Sequence, residues 1–185
     1  MDIQRWTADD LLHGADDLAR VLHARVHDGA SVGFILPHGI EDARAFWRGD
    51  VLDQVRQGQR ALLVARDGAF IAGTVSVVLA TPGNQPHRAE ISKLLVHPDG
   101  RRQGIARHLM QRAETVAVEE GKTLLTLDTR TGDTAEPFYT SLGFATAGVI
   151  PGYCMDVSGQ RFDATTYMYK QLQDPPEIRS HTRIG

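Results

Sequence analysis

Arg101-Arg102-Gln103-Gly104-Ile105-Ala106 lies between an extended apolar run, Ile91 to Val96, and a helical one from Ile105 to about Val118. A strand that passes through a glycine-containing, arginine-rich loop into a helix start gathers free backbone N–H groups and positive charge at one point. That combination suits a pyrophosphate. Gly104 removes a side chain so that a phosphate can approach the backbone, and Ala106 stays small for the same reason. The plainer reading is a basic surface loop. A Walker loop fits poorly because no Gly-Lys-Ser/Thr follows, and a Rossmann loop because three spaced glycines are missing.

Two carboxylates stand close by in sequence. Glu90 precedes the loop on the same strand, six residues ahead of Val96, and could equally be an exposed carboxylate paired with Arg88. Asp128 ends a short apolar strand, where a bare buried acid is costly and needs water or a partner; capping the following segment is its alternative role. His23 and His27 have a helical spacing that could bind metal, but no third ligand is evident, so no metal is expected. Cys154 has no base beside it and reads as a small core residue.

These groups need elements to hold them. Ile3–Thr7 predicts a strand, and Thr7 with Asp10 a capping-box start to a helix from Ala8 to about Val26, with Leu11, Leu18, Leu22 and Val26 near one face. Residues 28–34 read as a loop. Ile40 to about Arg56 predicts a second helix with Phe46 and Trp47 on its core side. Arg60–Ala65 and Phe70–Leu79 around Arg66-Asp67-Gly68 predict a β-hairpin. Further strands are expected over His87–Val96, Thr123–Asp128, Gly143–Tyr153 and Thr165–Gln171, and helices over 104–120 and Thr134–Ser141. The result is one α/β (α+β) domain over 1–173, with a mixed, mostly antiparallel sheet flanked by about four helices. Residues 174–185 carry two prolines and several charges and predict a loose tail.

The chain of 185 residues is long enough for one real core, and its 42% apolar and 23% charged content is that of a soluble protein. No run nears the roughly 18 apolar residues of a membrane helix. The first residues lack the apolar stretch of a signal peptide. A net charge of −3 gives no reason to expect nucleic acid or an anionic membrane as partner. One cysteine excludes an internal disulfide and a cysteine-based zinc site. A soluble, cytoplasmic protein is expected.

The pattern Arg101-x-x-Gly104-x-Ala106 resembles the acyl-CoA pyrophosphate loop of the GNAT superfamily of N-acyltransferases. Tyr139-Thr140-Ser141-Leu142-Gly143-Phe144 matches that superfamily's Tyr-x-x-x-Gly-Phe element, with Ala135 four residues before the tyrosine. One departure is Gly132, where the superfamily often has Asn contacting pantetheine or phosphate. More narrowly, the chain is similar to the tabtoxin-resistance acetyltransferases, which inactivate a β-lactam-containing amino-acid toxin. That similarity runs from about His27 to Lys170 and is most specific at Gly29–Phe34 and Pro151–Cys154; it fades over Asp156–Asp163 and the first ~25 residues.

The resemblance implies acetyl transfer from acetyl-CoA to an amine by direct attack in a ternary complex. It implies Glu90 as a base acting through water, Asp128 as a second base or a site for the substrate ammonium, and Tyr139 as the acid that protonates the leaving thiolate. The Val96 N–H becomes the oxyanion donor. Leu95, Val96, Arg101, Arg102, Gln103, Gly104, Ile105, Ala106 and Phe138 become cofactor contacts, and Ser31, Phe34 and Tyr153 acceptor-pocket residues. The expected acceptor is a small amino-acid-like amine. A protein N-terminus or lysine, or a non-catalytic acyl-CoA-binding role, are the alternatives. A monomer or homodimer is expected.

Overall fold

The structure, a computed structural model, describes residues 1–173; the tail expected to be loose, 174–185, lies outside them. β1 (Asp2–Trp6) enters α1 (Ala8–His27) through the expected cap. The Asp10 N–H donates to Thr7 Oγ1 (3.2 Å) and the Thr7 N–H to Asp10 Oδ2 (2.8 Å), so two groups that would lack helical partners satisfy each other.

The helix expected over Ile40–Arg56 is interrupted. α2 (Ile40–Phe46) and α3 (Leu52–Arg56) are separated by a widened π turn, Trp47–Val51. Gly49 leaves the helical region there, with φ −90° and ψ −121°. Glycine is the weakest helix former short of proline, so the break falls at it. The widened turn lets Trp47, Val51 and Leu52 all enter the core.

β2 (Arg60–Asp67) and β3 (Phe70–Val78) form the expected hairpin. β4 (Arg88–Val96) leads through a 3₁₀ turn (Pro98–Gly100) to α4 (Ile105–Glu119). β5 (Leu124–Arg130), α5 (Ala135–Thr140), β6 (Ala145–Met155) and β7 (Phe162–Gln171) complete the chain. The sheet order is β1-β2-β3-β4-β5-β7-β6, and only β4–β5 is parallel. Alternate residues of the strands feed two cores. Leu63, Val75, Val77, Ala89 and Ile91 pack with Leu109, Met110, Ala113 and Val116 of α4. Leu62, Val64 and Leu95 pack on the other face with Trp47 and with Leu11, Leu18 and Leu22 of α1. Among the described residues no helix is long and apolar enough to cross a membrane.

Two irregularities shape the sheet. First, β4 and β5 pair over only three positions, Arg88–Glu90 with Leu124–Thr126, and then separate. Second, β4 carries one extra residue opposite β3: Thr74 pairs with Leu95 but Ser76 with Ser92. The bulge falls at Lys93, whose φ is +53°, a left-handed backbone costing a non-glycine residue on the order of 1–2 kcal/mol. Thr74 Oγ1 donates to the Lys93 carbonyl (3.1 Å) and holds the bulge.

Candidate active site

The separation of β4 from β5 opens a cleft of about 520 Å³. β4 and β5 form its floor, the N-terminus of α4 and α5 one side, and the α1–α2 loop with Tyr153 and Cys154 of β6 the other.

At one end lies the start of α4. Arg102 (φ +62°) and Gly104 (φ +76°) both take left-handed backbone, and Gly104 is a cap with no side-chain bond to the helix. The first N–H of this stretch with a partner is that of His108, on the Gly104 carbonyl (3.1 Å). The N–H groups of residues 102–107 have no protein partner among the described residues. Unpaired N–H groups at the positive end of a 15-residue helix are the donor set a pyrophosphate requires. Arg101, on the cleft wall, meets Asp28, as does Arg25 from the last turn of α1. Replacing Gly104 with valine puts a β-branched residue at φ +76°, and acetyl-CoA affinity is expected to fall about ten-fold, read by fluorescence titration. Unchanged affinity would contradict the assignment of this loop to phosphate.

The carboxylates gather at the other end. Glu90 is the last β4 residue still paired to β5, opposite Thr126. Side chains two apart on a strand share a face, so Asp128 projects from the same face as Thr126 and Glu90. Glu90 is half exposed and 3.7 Å from Arg88 Nη1, an ion pair that Arg88 shares with hydrogen bonds to Gln85 and Thr126. Asp128 does not end its strand, because β5 pairs with β7 through Arg130. It accepts from Thr165 Oγ1 (2.9 Å), and among the described residues no backbone N–H of the next segment donates to it.

Tyr139 lines the cleft from α5. Its ring is buried between Phe138 and Phe144, with centroids at 5.3 and 5.8 Å. Burial, and after it the charge of Asp128, pushes its pKa well above that of an ordinary phenol, so it stays protonated and can donate. Immediately after β4 the His97 N–H donates to the Ala72 carbonyl of β3 (2.9 Å). Alternation along a strand then turns the Val96 N–H away from β3, toward the gap.

The remaining expected residues divide. Ser31, Ala106, Phe138 and Tyr153 border the cleft. Leu95 and Ile105 bury their side chains in the two cores and have only backbone to offer. Phe34 is set behind the wall, against Phe46 and His38. Cys154, expected in the core, is half buried on the cleft wall, its Sγ 4.0 Å from Ser31 Oγ. The cause is a wide irregularity in β6. Ile150 pairs with Thr165 but Cys154 with Asp163, and Pro151-Gly152, with Gly152 at φ +61°, takes up the surplus. Tyr153 hydrogen-bonds Tyr167 (2.8 Å), and that bond leads in pushing the Tyr167 pKa up to about 12. The rings of His23 and His27 stack at 4.1 Å, and His27 Nε2 is 2.9 Å from the His38 carbonyl. Lys93 also borders the cleft, unforeseen from the sequence, because only the bulge turns it there.

A helix start with unpaired N–H groups thus lies at one end of the cleft, and two carboxylates and a neutral phenol at the other. The profile of the acetyltransferase (GNAT) family matches residues 25–144, and the chain belongs to that family of acetyl-CoA-dependent N-acetyltransferases. Among solved structures it is similar to yncA of Salmonella typhimurium, whose structure holds its cofactor acetyl-CoA (20% identity, 95% of each chain, TM-score 0.74). It is similar also to the ribosomal-protein-alanine N-acetyltransferase of Brucella melitensis (22%, 92% of this chain and 99% of that one, 0.74). A third is the aminoglycoside 6'-acetyltransferase type Ii (18%, 95% and 100%, 0.69). At these identities the likeness is one of fold, and relatives on this fold are named for acceptors as different as a ribosomal protein and an aminoglycoside.

Proposed function

We propose that the chain transfers the acetyl group of acetyl-CoA to the amine of a small amino-acid-like molecule, by direct attack with both reactants bound. The observation that carries this reading is the placing of Glu90 and Asp128 on one face where the sheet splits, in the cleft that also holds Tyr139 and begins at the unpaired N–H groups of 102–107. Those groups, with Arg101 and Arg102, hold the pyrophosphate of acetyl-CoA, which supplies the thioester. The acceptor arrives as an ammonium and must lose a proton to become a nucleophile. Glu90, half exposed, takes that proton through water, while Asp128 attracts the ammonium. The amine nitrogen then bonds to the thioester carbon, and the Val96 N–H stabilises the oxyanion. The carbon–sulfur bond breaks, sulfur keeps the electron pair and takes the Tyr139 proton, and the second proton of the acylated nitrogen passes to the phenolate through water, restoring Tyr139.

The acceptor side favours a small molecule. Gly29–Phe34 and Pro151–Cys154, the segments most similar to the tabtoxin-resistance acetyltransferases, both contribute cleft wall, through Ser31 and Gly33 and through Tyr153 and Cys154. A β-lactam amino-acid toxin is a candidate within that class. The test is thiol release from acetyl-CoA against amino acids, dipeptides, aminoglycosides and polyamines. The expected result is release that depends on a free amine of amino-acid type. Release only with peptides bearing a protein-like N-terminus would replace the small-molecule reading with a protein-directed one.

A further inference from the structure

Four cationic side chains border the cleft: Arg25, Lys93, Arg101 and Arg130. Arg25 and Arg101 share the single carboxylate of Asp28, and Arg130 pairs with Asp133. Lys93 differs. Among the described residues no carboxylate lies within ion-pair distance of it. Its Nζ stands 5.6 Å from the ring centroids of both Phe34 and Phe46. Gly33 adjoins it, the place a Cβ would take lying 3.5 Å from Nζ.

The backbone is bent to put the ammonium there. Before the bulge, Ala89 and Ile91 face α4; after it, Leu94 and Val96 do. Unbroken alternation would send Lys93 into that apolar core. The extra residue, with its unfavourable left-handed φ of +53°, sends it to the opposite face, where Glu90 projects. Backbone strain that places a charge in a reaction cleft is a reason to look for the charge's partner. Burial pulls the Lys93 pKa down and Arg60 adds to this, while Asp128 and Glu90 oppose them. The cleft therefore offers two carboxylates and one unpaired ammonium held by aromatic faces. A simple amine would bring a second positive charge beside that ammonium. A zwitterion meets both signs at once.

We propose that Lys93 is a specificity-determining residue that binds the carboxylate of the acceptor, and that the acceptor class is accordingly free amino acids and close analogues bearing both an amine and a carboxylate. This rests on the reading of Glu90 and Asp128 as the amine end. The Phe34 and Phe46 rings orient the ammonium without neutralising it, which leaves its charge and donors for the substrate.

The experiment measures thiol release from acetyl-CoA with matched acceptors: L-lysine and cadaverine, L-phenylalanine and phenethylamine, L-histidine and histamine. The wild-type chain is expected to prefer at least one amino acid over its decarboxylated amine by about ten-fold or more in kcat/KM, carried by KM. Lys93→Gln is expected to shrink that preference to within about two-fold, with kcat/KM falling for the amino acid and not for its decarboxylated amine, and Lys93→Arg to keep most of it. Acetyl-CoA titration of each variant reports whether the fold and the cofactor end are intact. No carboxylate preference in the wild type, a preference that survives Lys93→Gln, or an equal loss on both members of each pair overturns the proposal. Failure of the underlying reading looks different: the wild-type chain then releases no thiol with any amine, and both conclusions fall.

Discussion

Glu90→Gln lowers kcat by about 10²–10⁴-fold and leaves acetyl-CoA affinity within about two-fold of the wild type. Gln has the same shape but does not take a proton at these pH values, so the substitution removes the base and keeps the strand. Glu90 sits between Val78 of β3 and Thr126 of β5, and its backbone pairing is indifferent to the side-chain change. The helix start proposed to hold the cofactor phosphates is on a different element. Steady-state thiol release gives kcat, and a fluorescence titration gives the acetyl-CoA affinity. Part of the loss is recovered as pH rises toward the acceptor's own pKa, because more amine is then free without help. A variant with wild-type kcat would remove Glu90 from the chemistry and leave Asp128 as the base.

Tyr139→Phe slows transfer by about 10²-fold, with a pH signature that separates it from Glu90. Burial, and then the Asp128 charge, disfavour the phenolate, so the Tyr139 pKa lies above the ordinary value of about 10. A raised pKa means the proton is retained throughout the working range and lost only beyond it. From pH 6 to pH 10 the rate therefore shows no falling limb from this tyrosine, and the wild-type to Phe ratio stays constant. Phe fits the same ring packing between Phe138 and Phe144, so the fold is retained. A ratio that closed toward unity near pH 10 would mean the phenol ionises in range, and equal rates throughout would mean the thiolate leaves unaided.

Much of this architecture could be read from the residues because local signals agreed with the tertiary result. The Thr7–Asp10 box, the hairpin around Gly68, and the strand–loop–helix passage through Gly104 each depend on neighbours close in sequence. What escaped depends on partners far away. Gly49 gives the break its place, but the widened turn brings three side chains into one core, and nothing in the apolar spacing of 40–56 marks it. Lys93 looks like any residue of an alternating strand until β3 imposes its register. Cys154 reads as core because it is small and apolar, but surplus residues in β6 rotate it onto the cleft wall. Asp128 was expected at a strand end, whereas β7 extends the ladder beyond it. In each case a register or core contact outweighed the local pattern.

The three-position pairing of β4 with β5 has a consequence for behaviour in a crowded solution. Past Glu90 and Thr126 both strands present unpaired ladder groups toward each other, so the sheet contains an edge in its middle. Open edges recruit foreign strands and seed aggregation. Here the opening tapers to closed pairing at one end, and α5, the 29–33 loop and β6 border it. A neighbouring protein's strand brings its own sheet and is too wide to enter, while a single slender chain can. The fold thus keeps hydrogen-bonding backbone open within the cleft and withholds it from the strands of other sheets.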